Sequence, residues 1–205
     1  MYIPKQFKID DEEVIYDFIE KYGFATLFSQ HKGEPYATHL PLMLNKSENA
    51  LYGHFARPNE QWKDAENQQV LVIFQGPHCY ISPSWYETTK AVPTWNYVSI
   101  HLYGKIEIIE DEKVIFDSLN DLVNKYESTD SPYNLNDVEP DFIKGMSKGI
   151  VAFRIKITKI EAKAKLSQNH PVERQELIIK HLENTFQQDN LQVASLMKKN
   201  LKKCK

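Results

Sequence analysis

In this 205-residue chain, apolar residues recur at every second position in one short segment after another, with turn-forming residues between the segments. Phe24 to Phe28 has strand character, and HKGEP at 31–35 supplies turn chemistry. YATHLPLML at 36–44 then alternates, setting Tyr36, Thr38, Leu40, Leu42 and Leu44 on one face and Ala37, His39, Pro41 and Met43 on the other. A second connection at KSENA leads into ALYGHFA at 50–56, and VLVIFQ at 70–75 reads as a continuously apolar strand buried on both faces. NYVSIHLYGKIEII at 96–109 opposes Val98, Ile100 and Leu102 to Ser99, His101 and Tyr103, with Gly104 as a bulge or bend. GIVAFRIKITKIEA at 149–162 alternates again and closes the set. Six or so strands joined mostly as hairpins predict a fold that is mainly β with some α: a small antiparallel barrel carrying peripheral helices.

The helical signals lie around and after these strands. Asp10 with Glu13 forms a capping box before Val14, Ile15, Phe18, Ile19 and Tyr22, and Gly23 stops the helix. Residues 111–126 give the clearest central amphipathic helix, and a shorter one runs near 138–144. From Pro171 onward two helices separate near 188–190. These boundaries divide the chain into a barrel domain at 1–162 and a C-terminal helical appendage with a basic tail at 163–205.

Charge is uneven under a net −3: residues 161–205 hold nine Lys/Arg against five Asp/Glu. The lysines at 198, 199, 202, 203 and 205 fit either a solvated helix or contact with DNA. Cys79 and Cys204 have no metal or redox spacing, so the expectation is a reduced, cytoplasmic protein without a disulfide. MYIPKQFKIDDEE lacks an apolar signal core, and no run is long enough to cross a bilayer. With seven glycines there is neither GxGxxG nor GxxxxGK, which argues against dinucleotide folds and phosphate loops, and GxSxG and HExxH are absent too.

A phosphate bound without a glycine loop needs cationic side chains, and only Arg57, Arg154 and Arg174 offer a guanidinium. Arg57, in GHFARPNEQW at 53–62, is the phosphate candidate, with Asn59, Gln61 and His54 nearby; a surface arginine beside a capped turn is the other reading. His39, His54, His78 and His101 come from separate segments, and their nonspecific spacing leaves wall residues, a metal and haem all open. The stretch 77–104 packs two Trp, four Tyr and two His together. Each buried phenol or indole needs a polar partner, so PSWY at 83–86 and PTWNY at 93–97 either cover a barrel end or stack a flat heterocycle.

MYIPKQF, THLPL, GHFARPNEQW, GPHCYISPSWY, VPTWNYVSIHLYG and KLSQN, in this order over about residues 1–170, resemble the PaiB family of FMN-binding regulators. That resemblance implies an FMN-binding split β-barrel, a homodimer holding FMN between subunits, and a negative transcriptional regulator of protease production and sporulation. It also implies that Thr38, His39, Leu40 and Pro41 line the flavin and that Arg57 and Asn59 hold its phosphate, with Trp62 close by. Trp95, Asn96 and Tyr97 would reach the flavin from the second subunit, and Lys165 and Gln168 would complete the rim. A flavin-dependent oxidoreductase, accepting electrons from a nicotinamide nucleotide, is the enzyme alternative; a haem-binding barrel is a further one. Gln6 and His170 depart from the family pattern only at its edges.

Overall fold

A computed structural model describes residues 1–66 and 68–203; the expectations for Cys204 and Lys205 concern residues outside that range. In chain order the main elements are α1 (Glu12–Lys21), β1 (Phe24–His31), β2 (Glu34–Pro41), β3 (Met43–Asn45), β4 (Ala50–Ala56), α2 (Gln61–Ala65), β5 (Gln69–Ile81), β6 (Thr94–Ile108), α3 (Glu112–Tyr126), α4 (Pro140–Ser147), β7 (Ile150–Lys165), α5 (Val172–Glu183) and α6 (Gln188–Lys203). The seven strands follow the order β2-β1-β5-β6-β7-β4-β3. Two compact units emerge, one from 19–74 and 101–160 and one from 1–18, 75–100 and 161–205. Strands β5, β6 and β7 run through both.

In the unit of 19–74 and 101–160 the strand order itself demands a barrel. Strands β2 and β3 stand at opposite ends of the sheet, yet only Leu42 separates them in the chain. A flat sheet of this many strands would be about 29 Å wide at ~4.8 Å per strand, whereas one residue spans about 3.5 Å. The sheet must therefore curl until its edges meet, and Leu42, fully buried, donates its N–H to Gly23 O at 2.8 Å at that seam. The antiparallel barrel expected from the hairpins, and the split β-barrel that the family resemblance implies, is the observed fold. Leu27, Leu51, Val72, Phe74, Leu102 and Phe153 fill it, with the rings of Phe55 and Phe153 4.6 Å apart.

The turns carry the left-handed backbone that tight hairpins require. Lys32 and Gly33 have φ of 53° and 80° between β1 and β2, and Asn49 has φ of 49° before β4. Gly104 has an ordinary φ; its requirement is space, because a Cβ there would meet Ile155 Cγ2 at 2.4 Å and Lys156 O at 2.5 Å. The bend expected at that glycine is a close approach of β7.

Two expectations about helices change in detail. Asp11 rather than Asp10 caps α1, its Oδ1 accepting from Val14 N at 3.4 Å. The helix read as central, α3, is capped by Asp111 Oδ1, which accepts from Lys113 N at 2.9 Å and Val114 N at 3.0 Å, but none of its residues is fully buried. Ile115 and Phe116 of this helix line a cavity.

In the other unit, the ends of the long strands meet the C-terminal helices. Cys79, Ile81, Val98 and Leu166 pack with Ile178, Leu182, Val193 and Met197 in one buried cluster. The segment expected as an appendage thus buries an apolar face against strand residues. Burial, with Asp189 adding to it, pushes the Cys79 thiol up to about 12.

Candidate functional site

The turn after β4 folds onto itself through the polar residues of its own sequence. Asn59 N donates to Ala56 O at 2.9 Å, Gln61 N to Asn59 Oδ1 at 3.0 Å, and Trp62 Nε1 to Arg57 O at 3.0 Å. Gln61 is completely buried and ties this turn to the β1-β2 hairpin: its Nε2 donates to Ser29 Oγ at 2.9 Å, with the carbonyls of Leu27 and Tyr36 at 3.4 Å. Thr38 Oγ1 donates to Gln61 Oε1 at 2.5 Å and accepts from Asn59 Nδ2 at 2.9 Å. Thr38, Asn59 and Gln61 therefore form one connected polar network, in which each member fixes the others.

Arg57 is exposed, and its guanidinium turns to the start of β7. Nε donates to Lys148 O at 2.5 Å and Nη2 to Ile150 O at 2.7 Å, while its main-chain N–H donates to Gly149 O at 2.8 Å. Two of the three guanidinium nitrogens are spent on main-chain carbonyls, leaving Nη1 for an anion. The same side chain lines a cavity of about 440 Å³ beside α3 and α4.

The THLP tetrapeptide divides between the faces of β2. Leu40 is a core residue at 4% exposure, and its Cδ1 lies 3.3 Å from the Cβ that Gly53 lacks. His39 lies on the exposed face with its ring stacked 6.4 Å from Phe24, and Pro41 is half-buried. Thr38 shares the inward side with Leu40 and reaches the polar network. His54, half-buried on β4, is held below the usual imidazole range by desolvation.

Alternation also separates Trp95, Asn96 and Tyr97 on β6. Trp95 is 53% exposed and forms an open aromatic platform with Tyr80 (centroids 6.0 Å, edge-on) and His78 (6.2 Å). Asn96 is fully buried; its Nδ2 donates to Ser167 Oγ at 2.9 Å, and Ser167 Oγ returns a bond to Oδ1 at 3.1 Å. Tyr97 lies under Lys163 Nζ, 5.0 Å from the ring centroid. Lys165 Nζ donates to Trp95 O at 2.7 Å and to Thr94 Oγ1, and burial, with Lys163 adding to it, lowers the pKa of this ammonium. Gln168 closes the KLSQN turn, where Oε1 accepts from Leu166 N at 2.6 Å and Nε2 donates to Ala164 O at 2.7 Å.

The predicted residues thus fall in two groups. Thr38, Asn59, Arg57 and Trp62 belong to the barrel unit; Trp95, Tyr97, Lys165 and Gln168 belong to the other. Sequence reading missed Ser29 as an anchor of Gln61, and missed Ser167 and Thr94 as partners of Asn96 and Lys165. It also missed the pairing of Tyr80 with Trp95, although both sit at outward positions of adjacent alternating strands. Within the one unit, Trp95 presents an exposed indole with the Lys165 ammonium on its main-chain carbonyl; within the other, Arg57 keeps one guanidinium nitrogen unspent. No cluster of three potential metal ligands occurs among the described residues.

Comparison with known proteins supplies the family. The family described as "Putative FMN-binding domain" matches residues 1–159. The Protease synthase and sporulation protein PAI 2 of Bacillus subtilis (strain 168) is 42% identical over 207 residues, covering 99% of each chain. Among solved structures, the flavocytochrome Anf3 from Azotobacter vinelandii superposes with a TM-score of 0.61 at 16% identity, over 80% of this chain and 72% of that one. The FAD and heme binding protein from Mycobacterium smegmatis gives 0.54 at 13% identity, over 82% and 78%. The chain belongs to the PaiB family.

Proposed function

We propose that this protein binds FMN between two copies of itself and acts as a negative transcriptional regulator of protease production and sporulation. The observation that carries the reading is the 42% identity to the sporulation protein PAI 2 along 99% of both chains. The residues present suit such a cofactor. Thr38, held by buried Gln61, offers a polar group toward the ring; Asn59 and Arg57 Nη1 offer contacts to the phosphate, the second charge-assisted; Trp95 and Tyr97 approach from the second copy, with Lys165 at the rim. Leu40 and Asn96 support from the core, since their side chains are fully buried. When bound, the flavin would supply electron-accepting chemistry, and the protein supplies binding, orientation and exclusion of water.

The test is a fluorescence titration of FMN into the purified protein, with the mass in solution measured alongside. FMN binds, and Arg57→Ala weakens it about tenfold, as expected for one charge-assisted hydrogen bond of roughly 1.5 kcal/mol. A protein that is monomeric at all concentrations and quenches no FMN fluorescence would overturn the proposal. For the regulatory part, a deletion strain should raise extracellular protease, and unchanged protease would refute it.

A further inference from the structure

We propose that the cavity beside α3 and α4 is a binding site for a small organic monoanion with an apolar body, an aromatic or medium-chain carboxylate. The proposal goes beyond the flavin reading: it shares Arg57 with that reading and uses none of Thr38, Asn59, Trp95 or Lys165. At about 440 Å³ the cavity falls within the size range of small-molecule sites. Its walls are built from Ile115 and Phe116 of α3, Leu135 and Val138 of the connecting segment, and Ile143 of α4.

Ile115 and Phe116, at the start of α3, border this open volume, and neither is fully buried. Apolar surface left in a cavity forgoes the stabilisation that burial gives. An apolar ligand body would recover it.

Charge at the walls defines the rest of the ligand. Arg57, Lys144 and Lys148 are cationic; Glu112 and Asp141 are anionic. Lys144 Nζ stands 3.2 Å from Glu112 Oε1, so that pair is internally compensated. Arg57 has committed Nε and Nη2 to carbonyls. Lys148 makes no ion pair among the described residues and contributes the free ammonium. Three cations against two acids leave one positive charge in surplus, which matches a single carboxylate. A carboxylate also places both oxygens at the mouth while its body enters the apolar interior.

The test is isothermal titration calorimetry of the full chain with benzoate and octanoate, each against its neutral amide. Carboxylate binding with a submillimolar Kd is expected, with the amides at least tenfold weaker. Lys148→Glu, an exposed change, should weaken carboxylate binding at least tenfold. With labelled isoleucine methyls, the probe should shift Ile115 and Ile143 and leave Ile19 and Ile100 in place. The proposal is overturned by absence of heat at millimolar probe, by amides binding as well as carboxylates, by indifference to Lys148→Glu, or by shifts confined to other isoleucines. Displacement of benzoate by FMN would overturn it too, assigning the cavity to the flavin. Failure of FMN binding with carboxylate binding intact would count against the flavin reading alone.

Discussion

Replacing Gln61 by Ala tests whether the polar network beneath the proposed flavin edge is a structural requirement. The side-chain amide makes two well-formed bonds, from Thr38 Oγ1 at 2.5 Å and to Ser29 Oγ at 2.9 Å, in a place with no solvent exposure. Two such bonds contribute about 2 kcal/mol net, and a buried hydroxyl left without its partner costs a further ~1–2 kcal/mol. The expected loss is about 3–4 kcal/mol, a large part of the 5–15 kcal/mol typical of a folded domain. Deletion of the side chain also leaves a cavity, so Gln61→Met is the companion variant: it keeps the length and removes only the polarity. Urea unfolding of the two variants, with Ser29→Ala as the second arm of a double-mutant cycle, separates packing from hydrogen bonding. A coupling energy of about 1 kcal/mol between positions 29 and 61 is expected. A loss below 1 kcal/mol in Gln61→Ala, or zero coupling, would refute the claim that this amide organises Thr38 and Asn59.

Two further outcomes follow from local geometry. Gly104→Val should destabilise by about 1–3 kcal/mol, because its Cβ would press on the Lys156 main chain as well as on Ile155; an unchanged urea midpoint would contradict the close approach. The lowered pKa of His54 means that the unfolded chain binds more protons between the folded value and about 6.5, so this contribution to stability is complete above ~6.5 and is lost as pH falls through that window. The drop in urea midpoint from pH 7.5 to 5.5 should be smaller in His54→Asn than in the parent, and an equal drop would show that burial of this imidazole has no thermodynamic effect.

Strands were legible because a half-buried sheet writes a period of two into the chain. The hairpins at Lys32–Gly33 and at Asn49 were legible because left-handed backbone selects Gly and Asn. Barrel closure was visible only as an expectation, since pairing of β4 with β7 joins Ala50 to Lys156 and no local signal records that register. The strand at 70–75 was read as buried on both faces, yet it alternates between buried and half-buried positions, because Val70, Val72 and Phe74 alone face the core. Uniform hydrophobicity hides the face that a polar residue would have marked.

The site was legible as strings and not as side-chain roles, and the reason is the same period of two. Thr38 to Pro41 and Trp95 to Tyr97 are consecutive residues, so neighbours in each string point to opposite faces and cannot all meet one ligand. That rule sends Leu40 and Asn96 into the core and leaves Trp95 outside, a division the alternation of Val98, Ile100 and Leu102 already implied for β6. Arg57 escapes the rule because it follows β4, and its partners lie 91 and 93 residues away. A guanidinium with two nitrogens on carbonyls holds its third in a fixed direction, which lowers the entropy cost of an added anion relative to a free surface arginine. The same bonds that give Arg57 a structural role therefore preorganise Nη1, and a phosphate contact there would draw on rigidity that the fold has already established.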